Sequence, residues 1–112
     1  MGGKTIFCTG DKLGRGEKEL GETLIRNFFY SIAEGDNFPD TVIFMNRGVY
    51  LVQETSDTAS SLKKLAEGGV KILSCGTCLD YYVLKENPLI GEVSNMHSIT
   101  DILAESEQVV TI

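Results

Sequence analysis

The sequence is short of basic residues and contains no long apolar run, and each shortage excludes a class of protein. Ten Lys and Arg residues stand against sixteen Asp and Glu residues, which gives a formal net charge of −6. Nucleic-acid binding needs a basic surface that contacts phosphates, so this balance argues against nucleic acid as a partner. No apolar run approaches the roughly 20 residues of a membrane-spanning helix, so no membrane association is predicted.

Cysteine and histidine are also scarce. The three cysteines are too few for a disulfide framework, and the start of the chain lacks a signal-peptide core. Both features predict a cytoplasmic protein, in which Cys8 is a core residue and Cys75 and Cys78 form a candidate reactive pair. A structural zinc site would need more ligands than this pair and the single histidine, His97, provide, so no metal or other cofactor is predicted.

The residues that are present describe one α/β domain over residues 1–112. Hydrophobic residues make up 42% of the chain, and short apolar runs alternate with helical stretches. This alternation is typical of βαβ units with a parallel sheet. We therefore predict a three-layer α/β/α sandwich with a mostly parallel sheet of about five strands.

The predicted elements follow from apolar periodicity. Strands are predicted at 4–9, 41–46, 70–73, 92–94 and 108–112, and helices at 17–34, 56–67 and 78–86, with a last helix capped by Asn95 or Ser98. The segment 49–52 is compatible with either a strand or an irregular helix. The first helix carries an apolar stripe at spacings of three and four, expected to face the sheet: Leu20, Leu24, Ile25, Phe28, Phe29, Ile32 and Ala33.

Cys75 lies at the carboxyl end of the central predicted strand. Thr77 and Asp80 have the spacing of a capping box, which predicts that a helix begins at Cys78. Cys75 would then face the first free amides of that helix, which favour an anion such as a thiolate. In such positions and in Cys-x-x-Cys pairs, thiol pKa values fall from about 8.5 to roughly 3.5–7.5. The position therefore favours a nucleophile, although a buried, unreactive pair of thiols is the alternative.

The carboxyl ends of parallel strands meet at one edge of a sheet, so small and polar residues after the strands predict a crevice there. The predicted binding residues are Gly76, Thr77, Asn46, Arg47, Gly48 and Asn95. Arg47 is a candidate to bind an anionic sulfur species, or else a solvated surface arginine. His97 is a candidate proton carrier, or else a surface histidine at the start of a helix.

Several motifs together resemble a known family. They are Gly14-Arg15-Gly16-Glu17 with Leu20-Gly21, Phe44-Met45-Asn46-Arg47-Gly48-Val49, Gly69-Val70, Ser74-Cys75-Gly76-Thr77-Cys78-Leu79-Asp80-Tyr81-Tyr82, and Gly91-Glu92-Val93-Ser94-Asn95-Met96. With these motifs the chain resembles the DsrE/DsrF-like sulfur-relay family, and specifically its selenium-metabolism YedF branch. The block around Cys75 and Cys78 is the most specific of the matches.

The resemblance implies a five-stranded parallel sheet between helices, a homo-oligomer, and sulfur carried as a persulfide. The acceptor cysteine of family carriers maps onto Cys75, whereas Cys78 has no counterpart in many of them. The implied partners are sulfur-donor and sulfur-acceptor proteins. In the YedF branch the domain commonly follows a small sulfur-carrier domain with a Cys-Pro motif, and this sequence contains no Cys-Pro pair.

Three functions stay open at this point. The first is a sulfurtransferase-like carrier, in which Cys75 accepts sulfane sulfur (or selenium) and Cys78 resolves the persulfide. The second is a thiol–disulfide redox protein that uses both cysteines, although no proline lies close to the pair. The third is a non-catalytic partner module of a sulfur-relay complex.

Overall fold

The computed structural model describes residues 3–112, so Met1 and Gly2 of the predicted domain 1–112 lie outside the described residues. The strands are β1 (Lys4–Cys8), β2 (Thr41–Phe44), β3 (Lys71–Cys75), β4 (Glu92–Ser94) and β5 (Gln108–Thr111). The α-helices are α1 (Lys18–Glu34), α2 (Ala59–Glu67), α3 (Gly76–Tyr81) and α4 (Met96–Glu105). A 3₁₀ helix (Asn46–Tyr50) follows β2, so the ambiguous segment 49–52 is not a strand.

The five strands form one sheet in the order β4-β3-β2-β1-β5, and every neighbouring pair is parallel. The predicted α/β fold with a parallel five-stranded sheet is therefore confirmed. Because all strands run in the same direction, their carboxyl ends lie at one edge of the sheet. The segments that follow β2, β3 and β4 begin at this edge.

Helices cover both faces of the sheet because side chains alternate between the faces along each strand. On one face, Phe44 packs against Phe29 of α1, with ring centroids 5.6 Å apart, and α2 contributes Leu62 to the same cluster. On the other face, Ile43 belongs to a smaller cluster with Ile99 of α4. The core therefore consists of two layers, and the smaller one lies under α4.

The apolar stripe of α1 is buried only in part. Leu20 is 54% exposed and Leu24 is 39% exposed, contrary to the prediction that both face the sheet. The first turns of α1 instead pack through Gly21 against the loop before the helix, where the Leu13 N–H donates to the Gly21 carbonyl at 3.0 Å. Periodicity alone does not reveal this loop contact, which takes the place of the sheet as the neighbour of this end of α1.

The helix after β3 differs from its prediction at both ends. It begins at Gly76 with Cys75 as its N-cap, so Thr77 lies inside the helix and the predicted capping box is wrong. The strand continues to Cys75 and passes directly into α3, which leaves no loop for a cap at Thr77. The helix ends at Tyr81 rather than near residue 86, because Val83 has a left-handed φ of 57° that ends the helical conformation.

Asn95 caps α4, which confirms one of the two predicted caps, Asn95 or Ser98. Its Oδ1 accepts a hydrogen bond from the Ser98 N–H at 2.9 Å. We expect Asn95→Ala to lower the free energy of unfolding by about 1 kcal/mol, because that N–H loses its acceptor. Urea denaturation measures the change, with Asn95→Asp as the control that keeps the acceptor and should stay within a few tenths of wild type. Equal losses in both variants would contradict a capping role.

Candidate functional site

Cys75 lies at the end of β3 and is almost completely buried. Only 2% of its surface is exposed, and it belongs to the cluster of Ile43, Leu73 and Ile99 beneath α4. Although Cys75 is the N-cap residue of α3, its side chain accepts no hydrogen bond from the helix amides. The predicted arrangement, in which those amides hold a Cys75 thiolate, is therefore not formed.

Cys78 is the more accessible thiol of the pair. It lies inside α3, is partly buried, and lines a pocket of about 400 Å³ together with Asn46, Thr77, Tyr81 and Tyr82. Cys75 does not line this pocket, and both thiols are free. A molecule that enters the pocket therefore meets Cys78 before Cys75.

Asn46 contacts Cys78 through its main chain. It is the first residue of the 3₁₀ helix after β2, and its N–H donates to Cys78 Sγ at 3.1 Å. Its side chain is held from the same direction, because the Tyr82 hydroxyl donates to Asn46 Oδ1 at 3.0 Å. The backbone of Asn46 has a left-handed φ of 55°. Asn46 therefore connects the end of β2 to α3 at the pocket.

The pKa of Cys78 is raised above its ordinary value. Burial has the largest effect, because it disfavours the charged thiolate, and the neighbouring Cys75 thiol raises the pKa further. The Asn46 N–H opposes both by donating to the sulfur. The lowered thiol pKa predicted for the pair is therefore not found at Cys78, and the reactive thiolate is a minor form at neutral pH.

Arg47 points away from the pocket. Its Nε and Nη2 both lie 3.2 Å from Asp11 Oδ2, and its guanidinium lies 4.7 Å from the Tyr50 ring centroid and 5.7 Å from that of Tyr82. Although burial opposes it, hydrogen bonds from Lys12 and Arg47 lower the pKa of Asp11. Arg47 is thus part of an ion pair and an aromatic stack behind Tyr82, and it does not line the pocket.

The two predicted glycines allow close backbone packing beside the pocket. A Cβ atom at Gly48 would lie 2.7 Å from the Cys8 carbonyl oxygen, so only glycine lets the 3₁₀ helix approach the end of β1. A Cβ atom at Gly76 would lie 3.2 Å from the Ser94 carbonyl oxygen, where α3 passes β4. Neither glycine lines the pocket, so their effect on the site is indirect.

The remaining predicted residues divide between the pocket and the surface. Thr77 lines the pocket, whereas the side chain of Asn95 is engaged in capping α4. The side chain of His97 is 90% exposed and lies 3.9 Å from Asp101. This placement is that of a surface histidine, the second of the two interpretations of His97.

Sequence reasoning missed the role of Tyr82. Its ring lies 5.0 Å from that of Tyr50, and its hydroxyl holds Asn46. The available signal was Asn46 itself, because asparagine is one of the few residues other than glycine that adopt a left-handed conformation readily. In this structure the Tyr82 hydroxyl is the hydrogen-bond partner of the Asn46 side chain.

Comparison with protein families identifies the chain. A sequence model described as the DsrE/DsrF-like family matches residues 27–112, which include Asn46, Cys75 and Cys78. The chain belongs to the DsrE/DsrF-like family. The predicted DsrE/DsrF-like family, which is linked to sulfur relay, is therefore confirmed, whereas its YedF branch stays a prediction. Comparison with curated proteins gave no match.

Two solved structures share the fold of this family member. The YchN protein from E. coli is 18% identical, with a TM-score of 0.71 over 100% of both chains. MTH1491 from Methanobacterium thermoautotrophicum, a protein of unknown function, is 16% identical, with a TM-score of 0.70 over 100% of both chains. At these identities the similarity establishes the fold alone.

Among residues 3–112, no group of three or more His, Cys, Asp or Glu side chains is placed to hold a metal ion. In the same range, no helix has the length and apolar character needed to cross a membrane.

Proposed function

We propose that this chain carries sulfane sulfur, or selenium, on the Cys75 and Cys78 pair, and that the sulfur enters at Cys78. The observation that carries the proposal is the open pocket at Cys78, with a second free thiol beside it at the carboxyl edge of the sheet. Membership of a family linked to sulfur relay supports this chemistry.

The transfer requires only a thiolate and a persulfide donor. The Cys78 thiolate attacks the outer sulfur of a donor persulfide, R–S–SH, and the S–S bond of the donor breaks. The donor leaves as R–S⁻ with the electron pair of that bond, and Cys78 becomes a persulfide. No external oxidant or reductant takes part in this step.

Cys75 acts second in this proposal. Its burial keeps a donor protein away from it, but it contacts the same helix and its thiol affects the pKa of Cys78. Attack of Cys75 on the outer sulfur of the Cys78 persulfide moves the sulfur inward. Attack on the inner sulfur forms a Cys75–Cys78 disulfide and releases HS⁻, so the dithiol is oxidised while the sulfane sulfur is reduced. The resemblance assigns the first acceptance to Cys75, and the two orders make opposite predictions for single variants.

The partners of this carrier are proposed on the same basis. A protein donor, such as a small Cys-Pro sulfur-carrier domain, would present a persulfide at the pocket, and an acceptor protein would remove it. Tyr81 is 79% exposed and Val83 is 84% exposed beside the pocket, which leaves apolar surface for such a contact. A cytoplasmic location, a homo-oligomer and a role in selenium metabolism complete the proposal.

Incubation with a cysteine desulfurase and cysteine tests the function. Intact-mass spectrometry should show the addition of one sulfur atom, which a thiol reductant removes. The double variant Cys75→Ser/Cys78→Ser is the control and should stay unmodified. An adduct that persists undiminished in the double variant, or no adduct on the wild-type chain, would refute the proposal.

A thiol–disulfide redox protein is the second candidate. It is favoured by one observation, namely that two free thiols three residues apart influence each other. Its test is the reduction potential of the pair, measured against glutathione. A potential below about −300 mV would rule out reversible exchange in the cytosol, because structural disulfides have such values.

A further inference from the structure

The peptide N–H of Asn46 lies against the sulfur at which the proposed transfer begins. We infer that Asn46 is a positioning residue, whose left-handed backbone directs its own N–H at Cys78 Sγ and so stabilises negative charge on that sulfur. The inference rests on the proposed function in taking Cys78 as the reacting sulfur. It names a main-chain donor that the cysteine motif does not contain.

The backbone of Asn46 directs its N–H at Cys78. The N–H of the first residue of a helix has no partner inside the helix. In Asn46 this N–H donates to Cys78 Sγ at 3.1 Å. Among residues 3–112, only Asn46 and Val83 have a positive φ without being glycine. Asn46 lines the pocket, and Val83 directly follows Tyr82, another lining residue.

Tyr82 holds Asn46 in place. Its hydroxyl donates to Asn46 Oδ1 at 3.0 Å, and its own N–H donates to the Cys78 carbonyl at 3.1 Å. The ring of Tyr82 is packed between Tyr50 and Tyr81, at centroid distances of 5.0 Å and 5.1 Å. Cys78 and Tyr82 therefore bind Asn46 at two points from a single helical turn.

An N–H donor at Cys78 Sγ stabilises negative charge on that sulfur. A hydrogen bond to an ionised acceptor is roughly twice as strong as one to a neutral acceptor, so this N–H favours the thiolate or persulfide anion over the thiol. Of the described residues, the other titratable groups that face Cys78 are the Cys75 thiol and the phenols of Tyr81 and Tyr82. The pocket lining provides no cation, so the N–H is the donor placed to offset burial.

The test compares two substitutions that both remove the Asn46 side chain. Glycine keeps the left-handed backbone at no steric cost, whereas alanine resists it. The readout is the pH midpoint of Cys78 alkylation, followed by tandem mass spectrometry because both cysteines lie on the peptide between Lys71 and Lys85. We expect Asn46→Ala to raise the midpoint by about one pH unit, which is roughly tenfold slower alkylation at neutral pH, and Asn46→Gly to raise it by far less.

Two results would overturn the inference. One is an unchanged midpoint in a folded Asn46→Ala variant, and the other is an equal rise in the alanine and glycine variants. Tyr82→Phe provides a second measurement that leaves the backbone intact, and it should raise the midpoint in the same direction by a smaller amount. Thermal melting of each variant separates lost stability from a changed midpoint. Alkylation needs no sulfur donor, so a failure of sulfur loading leaves this test valid.

Discussion

Replacement of Cys78 with serine is expected to lower the rate of sulfur loading by at least roughly 100-fold. A serine hydroxyl is not ionised at neutral pH and forms no persulfide, so the pocket loses its nucleophile. The rate in the wild-type chain should rise as the pH rises from 6 towards 9, because the raised pKa of Cys78 keeps the thiolate a minor form throughout that range and its fraction grows with pH. Time-resolved mass spectrometry of the loading reaction measures both effects.

Cys8→Ser is the matched control for this prediction. Cys8 is fully buried, donates to the Gly10 carbonyl at 3.3 Å, and has a pKa raised by burial to about 12. Serine can donate to the same carbonyl, so loading should stay at the wild-type rate. If loading survives in Cys78→Ser and is lost in Cys75→Ser, the order of the two thiols is reversed. The buried cysteine is then the first acceptor, as the family resemblance implies.

Gly91→Ala is expected to lower the free energy of unfolding by roughly 2–5 kcal/mol. Gly91 has a φ of 89°, which is strained for any residue with a side chain. A Cβ atom there would also lie 2.6 Å from the Cβ of Ile72, in the neighbouring strand β3. Both the backbone strain and the clash oppose the docking of β4 on β3. Urea denaturation of the variant and the wild-type chain measures the loss.

Gly69→Ala separates the two causes. Gly69 has a φ of 97°, but a Cβ atom there would have no neighbour within 4 Å. This variant should therefore lose only the backbone contribution of about 1–2 kcal/mol. A loss in Gly91→Ala that is no larger than in Gly69→Ala would show that β4 moves away from Ile72 at little cost. The close packing of β4 on β3 would then contribute little to stability.

The order and type of most elements followed from local patterns. The run Val42, Ile43 and Phe44 is apolar throughout, which is typical of a strand buried on both faces, and the structure buries all three residues. The strand at Glu92–Ser94 was predicted with its observed bounds, since Gly91 precedes it and the Asn95 cap follows. Such signals act within a few residues, and a linear sequence displays them directly.

Predictions that depended on distant neighbours were less accurate. Leu20 has the periodicity of a core residue but is exposed, and the neighbouring Gly21 is the residue that packs against the loop before α1. Thr77 has the spacing of a cap, but β3 extends to Cys75 and leaves no turn before the helix. In both cases the local signal is present, and a tertiary contact determines the outcome.

The candidate cysteine pair and the family resemblance both came from motifs in the sequence, of which the block around Cys75 and Cys78 is the most specific, because residue type and spacing define such motifs. Which of the two thiols is accessible depends instead on packing. Ile99 of α4 belongs to the cluster that buries Cys75, while the pocket between α3 and the 3₁₀ helix leaves Cys78 accessible. The Asn46 N–H reaches that sulfur from a residue 32 positions earlier in the chain. Burial and long-range hydrogen bonds arise only when the chain folds, and so the different exposure of the two cysteines is decided by the tertiary structure.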